Sequence, residues 1–175
     1  MRILILTFLL FCNSLYAKNE AIELAAKAGI AWAQYELGTH YEFGMDGYPE
    51  DKTRAAELYT SAAWGGNSKA QLAIGIFYWR GEGVNQSNKE AVTWMKKSAS
   101  QSHGLAMYNL AEFYRKNGDK IVSYAWALMG IKYSSDKKYR DWCLNFRLEL
   151  DSQLTVQQRL DAERYTNILV SELNL

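Results

Sequence analysis

The sequence predicts an all-α fold, a solenoid built from one repeated pair of helices. A twelve-residue segment occurs three times: AQYELGTHYEFG begins at Ala33, AQLAIGIFYWRG at Ala70 and AMYNLAEFYRKN at Ala106. The copies start 37 and then 36 residues apart, a period typical of stacked helix pairs. Their apolar residues also recur at helical spacing. Such arrays bury a continuous core between neighbouring copies and commonly present binding surfaces.

The first residues have the pattern of a secretory signal peptide. Arg2 precedes an apolar run over residues 3–11, and polar and small residues follow as far as Ala17. This run is too short to cross a bilayer, which takes about 20 helical residues. We therefore expect cleavage after Ala17, a periplasmic or secreted protein, and no stable membrane insertion. Lipid attachment at Cys12 is the alternative, and the bulky Phe11 before it disfavours that reading.

The composition after Ala17 limits the class of protein. The remaining length suffices for one domain with a substantial core. Acidic and basic residues are equal in number in this part, which does not predict binding to nucleic acid. Cys143 is the only cysteine there, so we expect neither an intramolecular disulfide nor a cysteine-based metal site.

The chain divides into segments that follow the repeat. Residues 21–29 match residues 57–65 of the first copy and therefore predict an isolated second helix that caps the N-terminal end. The predicted order is: signal peptide 1–17, N-terminal capping helix 18–30, repeat 1 at 31–67, repeat 2 at 68–103, a degenerate repeat 3 at 104–136, and C-terminal capping helices at 137–175.

Glycines mark the loop between the two helices of a copy. Gly44 and Gly47 lie in the first such loop, and Gly81 and Gly83 in the second. A left-handed residue commonly ends a helix, and glycine adopts that conformation without steric cost. These positions therefore predict where the first helix of each pair ends.

Capping residues predict where helices begin. Asp51 can cap the second helix of repeat 1. Ser87 with Glu90, and Thr155 with Gln158, have the spacing of a capping box. We therefore expect helices to start directly after each of these three positions.

Within the helices, small residues indicate close crossings. Gly38 and Gly75 occupy one repeat position, and a glycine inside a helix costs about 1 kcal/mol relative to alanine, so we expect close backbone approach there. The larger core residues recur at helical spacing: Leu37, Ile74 and Leu110 with Tyr41, Tyr78 and Tyr114. The two C-terminal helices are expected to bury Tyr139, Trp142, Cys143, Phe146 and Leu150, and then Val156, Leu160, Tyr165 and Leu169.

The recurring order of small residues, glycines and tyrosines resembles the Sel1-like repeat family, whose members are tetratricopeptide-like. The matching positions are Ala33, Leu37, Gly38, Tyr41, Gly44, Gly47, Ala55, Tyr59, Ala62 and Ala63 in copy one, and Ala70, Gly75, Tyr78, Gly81, Gly83, Val84, Ala91, Trp94 and Ala99 in copy two. The third copy departs from the pattern because Ala111 and Asn117 replace glycines. The resemblance covers nearly all of the chain after Ala17.

This resemblance implies an α/α superhelix with terminal capping helices that serves as a binding surface or adaptor. Many bacterial members are exported. Some regulate envelope signalling or polysaccharide export, and some periplasmic ones are immunity proteins against phospholipase toxins. Cysteine-rich members of the family have been proposed as β-lactamase-like, penicillin-binding proteins, but they carry a cysteine pair in each repeat and this chain does not. Cys143 is expected to be a buried packing residue.

By analogy with tetratricopeptide arrays, first-helix residues outside the core pattern would line the concave face. Aromatic and arginine side chains are frequent among them, and these anchor many protein interfaces. The candidate protein-binding residues are Trp32, Tyr35, Thr39, Glu42, Phe43, Leu72, Ile76, Trp79, Arg80, Tyr108, Glu112 and Arg115. Packing of Trp32, Tyr35 and Trp79 against neighbouring helices is the competing interpretation.

No residues form a recognisable catalytic or metal site. His40 and His103 are the only histidines, and they lack the spacing of zinc ligands. We therefore predict no cofactor, no metal and no catalytic residue. The predicted function is that of an exported, non-catalytic scaffold that binds a toxin or an envelope component. The alternative is a peptidoglycan- or glycan-binding protein, or a β-lactamase-like hydrolase.

Overall fold

The computed structural model describes residues 17–175, so Cys12 and residues 1–16 of the predicted signal segment lie outside the described residues. Residues 17–175 form nine helices and no strand, and the predicted all-α helical repeat fold is confirmed. The helices are α1 (17–27), α2 (Ala31–Phe43), α3 (Lys52–Trp64), α4 (Ser68–Arg80), α5 (Asn88–Ala99), α6 (Gly104–Lys116), α7 (Lys120–Tyr133), α8 (Lys137–Asp151) and α9 (Val156–Leu173). They group into two compact units, one ending at Ser87 and one beginning at Asn88.

In the first unit, α2 packs against α3, and α3 packs against α4. The α1 residues Ile22 and Ala26 join Ala33, Leu37 and Leu58 in one buried cluster. Burial of aliphatic side chains of this kind contributes about 25 cal/mol for each Å² of apolar surface removed from water. The helix before the first repeat therefore covers the apolar face that α2 would otherwise expose.

The predicted helix ends are present. Gly44, Gly47, Gly81 and Gly83 have φ angles of 61°, 88°, 71° and 65°, all in the left-handed region that glycine favours. The position of Gly83 also requires glycine, because an added Cβ would lie 2.2 Å from the carbonyl oxygen of Lys52. This loop therefore approaches the first turn of α3 more closely than a side chain permits.

The predicted capping residues act as expected where their bonds are described. The Asp51 carboxylate accepts a hydrogen bond from the backbone N–H of Arg54 at 2.9 Å. Thr155 and Gln158 form a reciprocal capping box at the start of α9. The helix α5 begins at Asn88, directly after Ser87. Local sequence thus sets these helix starts.

The glycine inside α2 has a different neighbour from the one expected. An added Cβ at Gly38 would lie 2.8 Å from Cε1 of the Tyr59 ring. The close approach predicted at Gly38 is therefore between helix backbone and an aromatic side chain, not between two backbones. The absence of a side chain at Gly38 therefore leaves room for the Tyr59 ring against α2.

In the second unit, α7 is the central helix and packs against α6, α8 and α9. Helix α8 also contacts α6, whereas α9 reaches α5, where Lys96 and Glu172 form an ion pair at 3.1 Å. The expected burial of Val156 and Leu160 is wrong, since they are 65% and 44% exposed. The side of α9 that carries Ala162 packs against the core instead.

The contact between α7 and α8 is unusually close. Gly130 of α7 lies against Cys143 of α8, and an added Cβ at Gly130 would be 2.2 Å from the Cys143 sulfur. Cys143 is fully buried, as the sequence predicted, and burial raises the pKa of its thiol to about 12. A glycine is therefore required for α8 to lie at its observed distance from α7.

Among the described residues, no helix has the length and apolar character needed to cross a membrane.

Candidate functional site

The five candidate residues of α2 lie along one helix, and two of them are well exposed. Trp32 and Phe43, near the two ends of α2, are 56% and 62% exposed. Tyr35, Thr39 and Glu42, between them, are partly buried. We refer to these five residues as the α2 face.

Tyr59 of α3 packs against the α2 face and forms hydrogen bonds with it. Its ring lies 5.6 Å from that of Tyr35, centroid to centroid, and 5.4 Å from that of Phe77. Its hydroxyl donates to the Glu42 carboxylate at 2.5 Å and lies 3.2 Å from the Thr39 hydroxyl. Burial, followed by the bond to Glu42, raises the pKa of Tyr59 above its ordinary range. The buried tyrosine therefore fixes the orientation of Glu42.

The candidates on α4 have mixed positions. Leu72 is 4% exposed, so the expectation that it lines a binding face is wrong and it is a core residue. Ile76 and Trp79 are partly buried, and Arg80 is exposed, with its guanidinium 3.8 Å from the Glu82 carboxylate. The repeat position that carries Tyr35 in copy one and Tyr108 in copy three is thus buried in copy two.

The three candidates of α6 lie together in a groove of about 440 Å³. Its other wall is α8, which contacts α6 directly. We refer to it as the α6–α8 groove, and its lining residues are Tyr108, Glu112, Arg115, Trp142, Asn145, Phe146 and Glu149.

Aromatic rings form the floor of the α6–α8 groove. The Tyr108 ring meets those of Trp142 and Phe146 edge to face, with centroids 5.5 and 5.7 Å apart. Such pairs contribute about 0.5–1.5 kcal/mol beyond the area they bury. The Arg115 guanidinium lies 5.4 Å above the Phe146 ring, and the Lys138 ammonium 4.8 Å above the Trp142 ring. The groove is therefore a preformed aromatic surface bordered by charges.

Charges at the groove are unevenly paired. One oxygen of Glu112 lies 3.4 Å from Arg115 and 3.2 Å from Lys116. The Glu149 carboxylate and the Asn145 side-chain amide have no hydrogen-bond or ion-pair partner among residues 17–175. Burial, and then the negative charges of Glu112 and Glu149, raise the pKa of Tyr108 despite the opposing charge of Arg115. The two carboxylates together thus affect the Tyr108 hydroxyl more strongly than Arg115 does.

Sequence reasoning missed the α8 side of the groove. It placed Trp142 on the buried face with Cys143 and Phe146, but Trp142 is 40% exposed. The available signal was spacing: Trp142, Asn145 and Glu149 are three and four residues apart, which places them on one side of a helix. The buried residues of α8 follow the same spacing one position later. The exposed Trp therefore marks the edge of the packed face.

The described histidines do not form an accessible catalytic pair. His40 is buried, and its Nε2 lies 3.5 Å from the Asp46 carboxylate. His103 Nδ1 lies 2.8 Å from the Ser98 hydroxyl, but Ser98 is fully buried and cannot reach a substrate. Within residues 17–175, no group of three or more His, Cys, Asp or Glu side chains could hold a metal ion. The raised pKa of the Cys143 thiol keeps it protonated and unreactive at neutral pH.

Comparison with known proteins places these features in a family. Residues 33–67, 68–103 and 104–122 match the Sel1 repeat. The chain is 36% identical to the chitin synthase regulator SKT5 of Malassezia restricta over 107 residues, which is 58% of this chain and 7% of that protein. It is 30% identical to the Saccharomyces cerevisiae chitin synthase regulator SKT5 over 115 residues, 63% of this chain and 16% of that protein. The chain thus spans only a small part of these fungal relatives.

Two solved structures have a similar fold. A crystal structure of a Sel1 repeat protein from Oxalobacter formigenes superimposes with a TM-score of 0.58 at 26% identity, over 72% of this chain and 96% of that one. A protective antigen present in uropathogenic Escherichia coli strains, which displays an SLR fold, superimposes with a TM-score of 0.57 at 20% identity. That match covers 87% of this chain and 40% of the antigen, and it bears on the fold alone.

Proposed function

We propose that this chain, which belongs to the Sel1 repeat family, is a non-catalytic scaffold that binds another protein through the α6–α8 groove. The observation that carries the proposal is the aromatic and charged lining of that groove, in which Trp142 is 40% exposed. Tyrosine, tryptophan and arginine dominate the binding energy of many protein interfaces. Because packing between α6, α7 and α8 already orders these side chains, little conformational entropy opposes binding.

The partner we propose is an enzyme whose activity this chain controls. The fungal relatives are named as regulators of chitin synthase, which supports a regulatory role for the shared repeats. We propose that the chain is exported to the bacterial envelope and acts there in one of two ways. It either covers the active site of a phospholipase-type toxin, as an immunity protein, or tethers an envelope enzyme as an adaptor.

The test is capture of the partner by the full chain, carrying a C-terminal affinity tag, from the cells that produce it. We expect a stoichiometric complex that Tyr108→Ala weakens by more than tenfold, because loss of a central interface aromatic commonly costs about 2 kcal/mol or more. The matched control is Trp64→Ala, which removes a 71% exposed aromatic side chain in the other unit. Circular dichroism would show that both variants keep their helices.

The identity of the captured protein distinguishes the two roles. A lipase or another toxin establishes an immunity function, and a synthase or signalling protein establishes an adaptor. Loss of capture in Trp32→Ala or Phe43→Ala, with Tyr108→Ala unchanged, would move the interface to the α2 face. Hydrolysis of peptidoglycan, nitrocefin or lipid by the purified chain, with no protein captured, would overturn the proposal.

Export is tested separately by cell fractionation and by the mass of the purified protein. Cleavage after Ala17 predicts recovery from the envelope fraction and a mass that lacks the first 17 residues. A full-length protein in the soluble cell interior would contradict this part of the proposal, and it would leave the binding measurement intact.

A further inference from the structure

We propose that the α6–α8 groove receives an arginine or lysine side chain of the partner, held between the Tyr108 hydroxyl and the Glu149 carboxylate. This inference rests on the proposed function, because it specifies what the partner presents to the groove. It commits to a basic side chain over a neutral or acidic one, and the groove's own hydrogen-bonding groups determine that choice.

The groove contains an unpaired carboxylate and two further uncharged acceptor groups. The Glu149 carboxylate, the Asn145 amide oxygen and the Tyr108 hydroxyl oxygen all line it, and none of the three has a hydrogen-bond partner among residues 17–175. The charged donor in the lining, Arg115, is already paired with Glu112. A ligand that pairs with all three acceptors brings several N–H donors, as a guanidinium with five or an ammonium with three does.

The charge distribution favours a cation at the same place. Glu112 is shared between two basic side chains, whereas Glu149 has no cation paired with it among the described residues. The two carboxylates together outweigh Arg115 at the Tyr108 hydroxyl and so help to raise the pKa of Tyr108. A cation between Tyr108 and Glu149 would pair with the Glu149 carboxylate, whereas that carboxylate would repel an anion.

The aromatic rings of the groove already bind cations from the chain itself. Arg115 lies over Phe146 at 5.4 Å, and Lys138 lies over Trp142 at 4.8 Å. Both distances are within the range at which a cation is attracted to a ring face. Tyr108, which contacts both of these rings, has no cation over its own ring in the described structure. A cation of the partner would lie over the Tyr108 ring in the same way.

The experiment is a ¹⁵N NMR titration of the full chain with Nα-acetyl-arginine N-methylamide, at constant ionic strength because salt screens the interaction. The control ligand is the corresponding citrulline derivative, which has nearly the same shape and no charge. We expect the arginine derivative to shift the Trp142 indole N–H and the Asn145 side-chain amide, and the citrulline derivative to shift them much less.

Matched variants test the role of the carboxylate. Glu149→Gln should weaken binding of the arginine derivative by about two- to fivefold, the usual range for one exposed ion pair. Glu163→Gln, at an exposed position of α9, should leave it unchanged. Backbone spectra would show that both variants stay folded, since both side chains lie on the surface.

Three results would overturn the inference: no shift at Trp142 and Asn145, equal binding of the two ligands, or unchanged affinity in Glu149→Gln. These results are distinguishable from failure of the proposed function. If Tyr108→Ala loses the partner and Glu149→Gln keeps it, only the inference of a basic side chain in the groove is rejected. If the arginine derivative binds but no protein is captured, the proposal that the chain binds a protein partner is rejected instead.

Discussion

Substitution of Gly130 by alanine would test how α7 positions α8, and therefore how the groove is built. Alanine is favoured over glycine inside a helix by about 1 kcal/mol. The added methyl group, however, would lie 2.2 Å from the Cys143 sulfur and 3.1 Å from its Cβ, and overpacking of this kind costs about 1–3 kcal/mol. We expect Gly130→Ala to lower the free energy of unfolding by up to about 2 kcal/mol.

Removing the sulfur should reverse this effect. In Cys143→Ala the nearest remaining atom is the Cβ at 3.1 Å, a contact that a shift of a few tenths of an ångström relieves. Gly130→Ala should then be neutral or stabilising by up to about 1 kcal/mol in that background, as its helix propensity predicts. The expected coupling free energy between the two substitutions is therefore about 1–3 kcal/mol.

The assay is a double-mutant cycle by equilibrium urea unfolding, followed by circular dichroism at 222 nm. Additive effects, with a coupling below about 0.5 kcal/mol, would refute the inferred contact between Gly130 and Cys143. A second measurement connects packing to function. Capture of the partner should fall in Gly130→Ala, because Trp142 and Asn145 move with α8, and should recover in the double variant.

Two further predictions concern the first unit. Gly83→Ala should lower the free energy of unfolding by about 2–4 kcal/mol, and Gly47→Ala should lower it by about 1–2 kcal/mol. Both glycines have a positive φ angle, but only at Gly83 would the added Cβ clash with backbone, at Lys52. Equal losses in urea unfolding would contradict this prediction. Tyr59→Phe should cost about 1 kcal/mol, the worth of its bond to Glu42. The pKa of Tyr59 is raised above 10.0 in the folded state, so ionisation above pH 10 favours the unfolded state. The free energy of unfolding should therefore fall more steeply above pH 10 in the wild type than in Tyr59→Phe. Parallel pH profiles of the two proteins would contradict this prediction.

The helical repeat could be predicted from the sequence because its signals are local. The loop glycines and the caps at Asp51 and Thr155 depend on residues a few positions apart, and each set the expected helix boundary. The family pattern added the pairing of helices, since small residues recur where helices cross. Local propensity and repeat spacing thus agreed on the same architecture.

The candidate site could be predicted only in part, because exposure depends on which neighbours cover a helix. Leu72 occupies the same repeat position as Tyr108, yet it is buried while Tyr108 lines a groove. Repeat spacing cannot distinguish them. The contribution of Trp142 and Glu149 was missed because α8 was interpreted as a cap, and its contact with α6 arises from tertiary packing.

Site-specific photo-crosslinking in the producing cell tests directly whether the α6–α8 groove is the surface that binds the partner. A benzophenone amino acid at position 145, in the α6–α8 groove, would be compared with one at position 167, an exposed site on α9. We expect a single protein adduct from position 145 that Tyr108→Ala abolishes, and no such adduct from position 167. An adduct from position 167 and none from position 145 would contradict it.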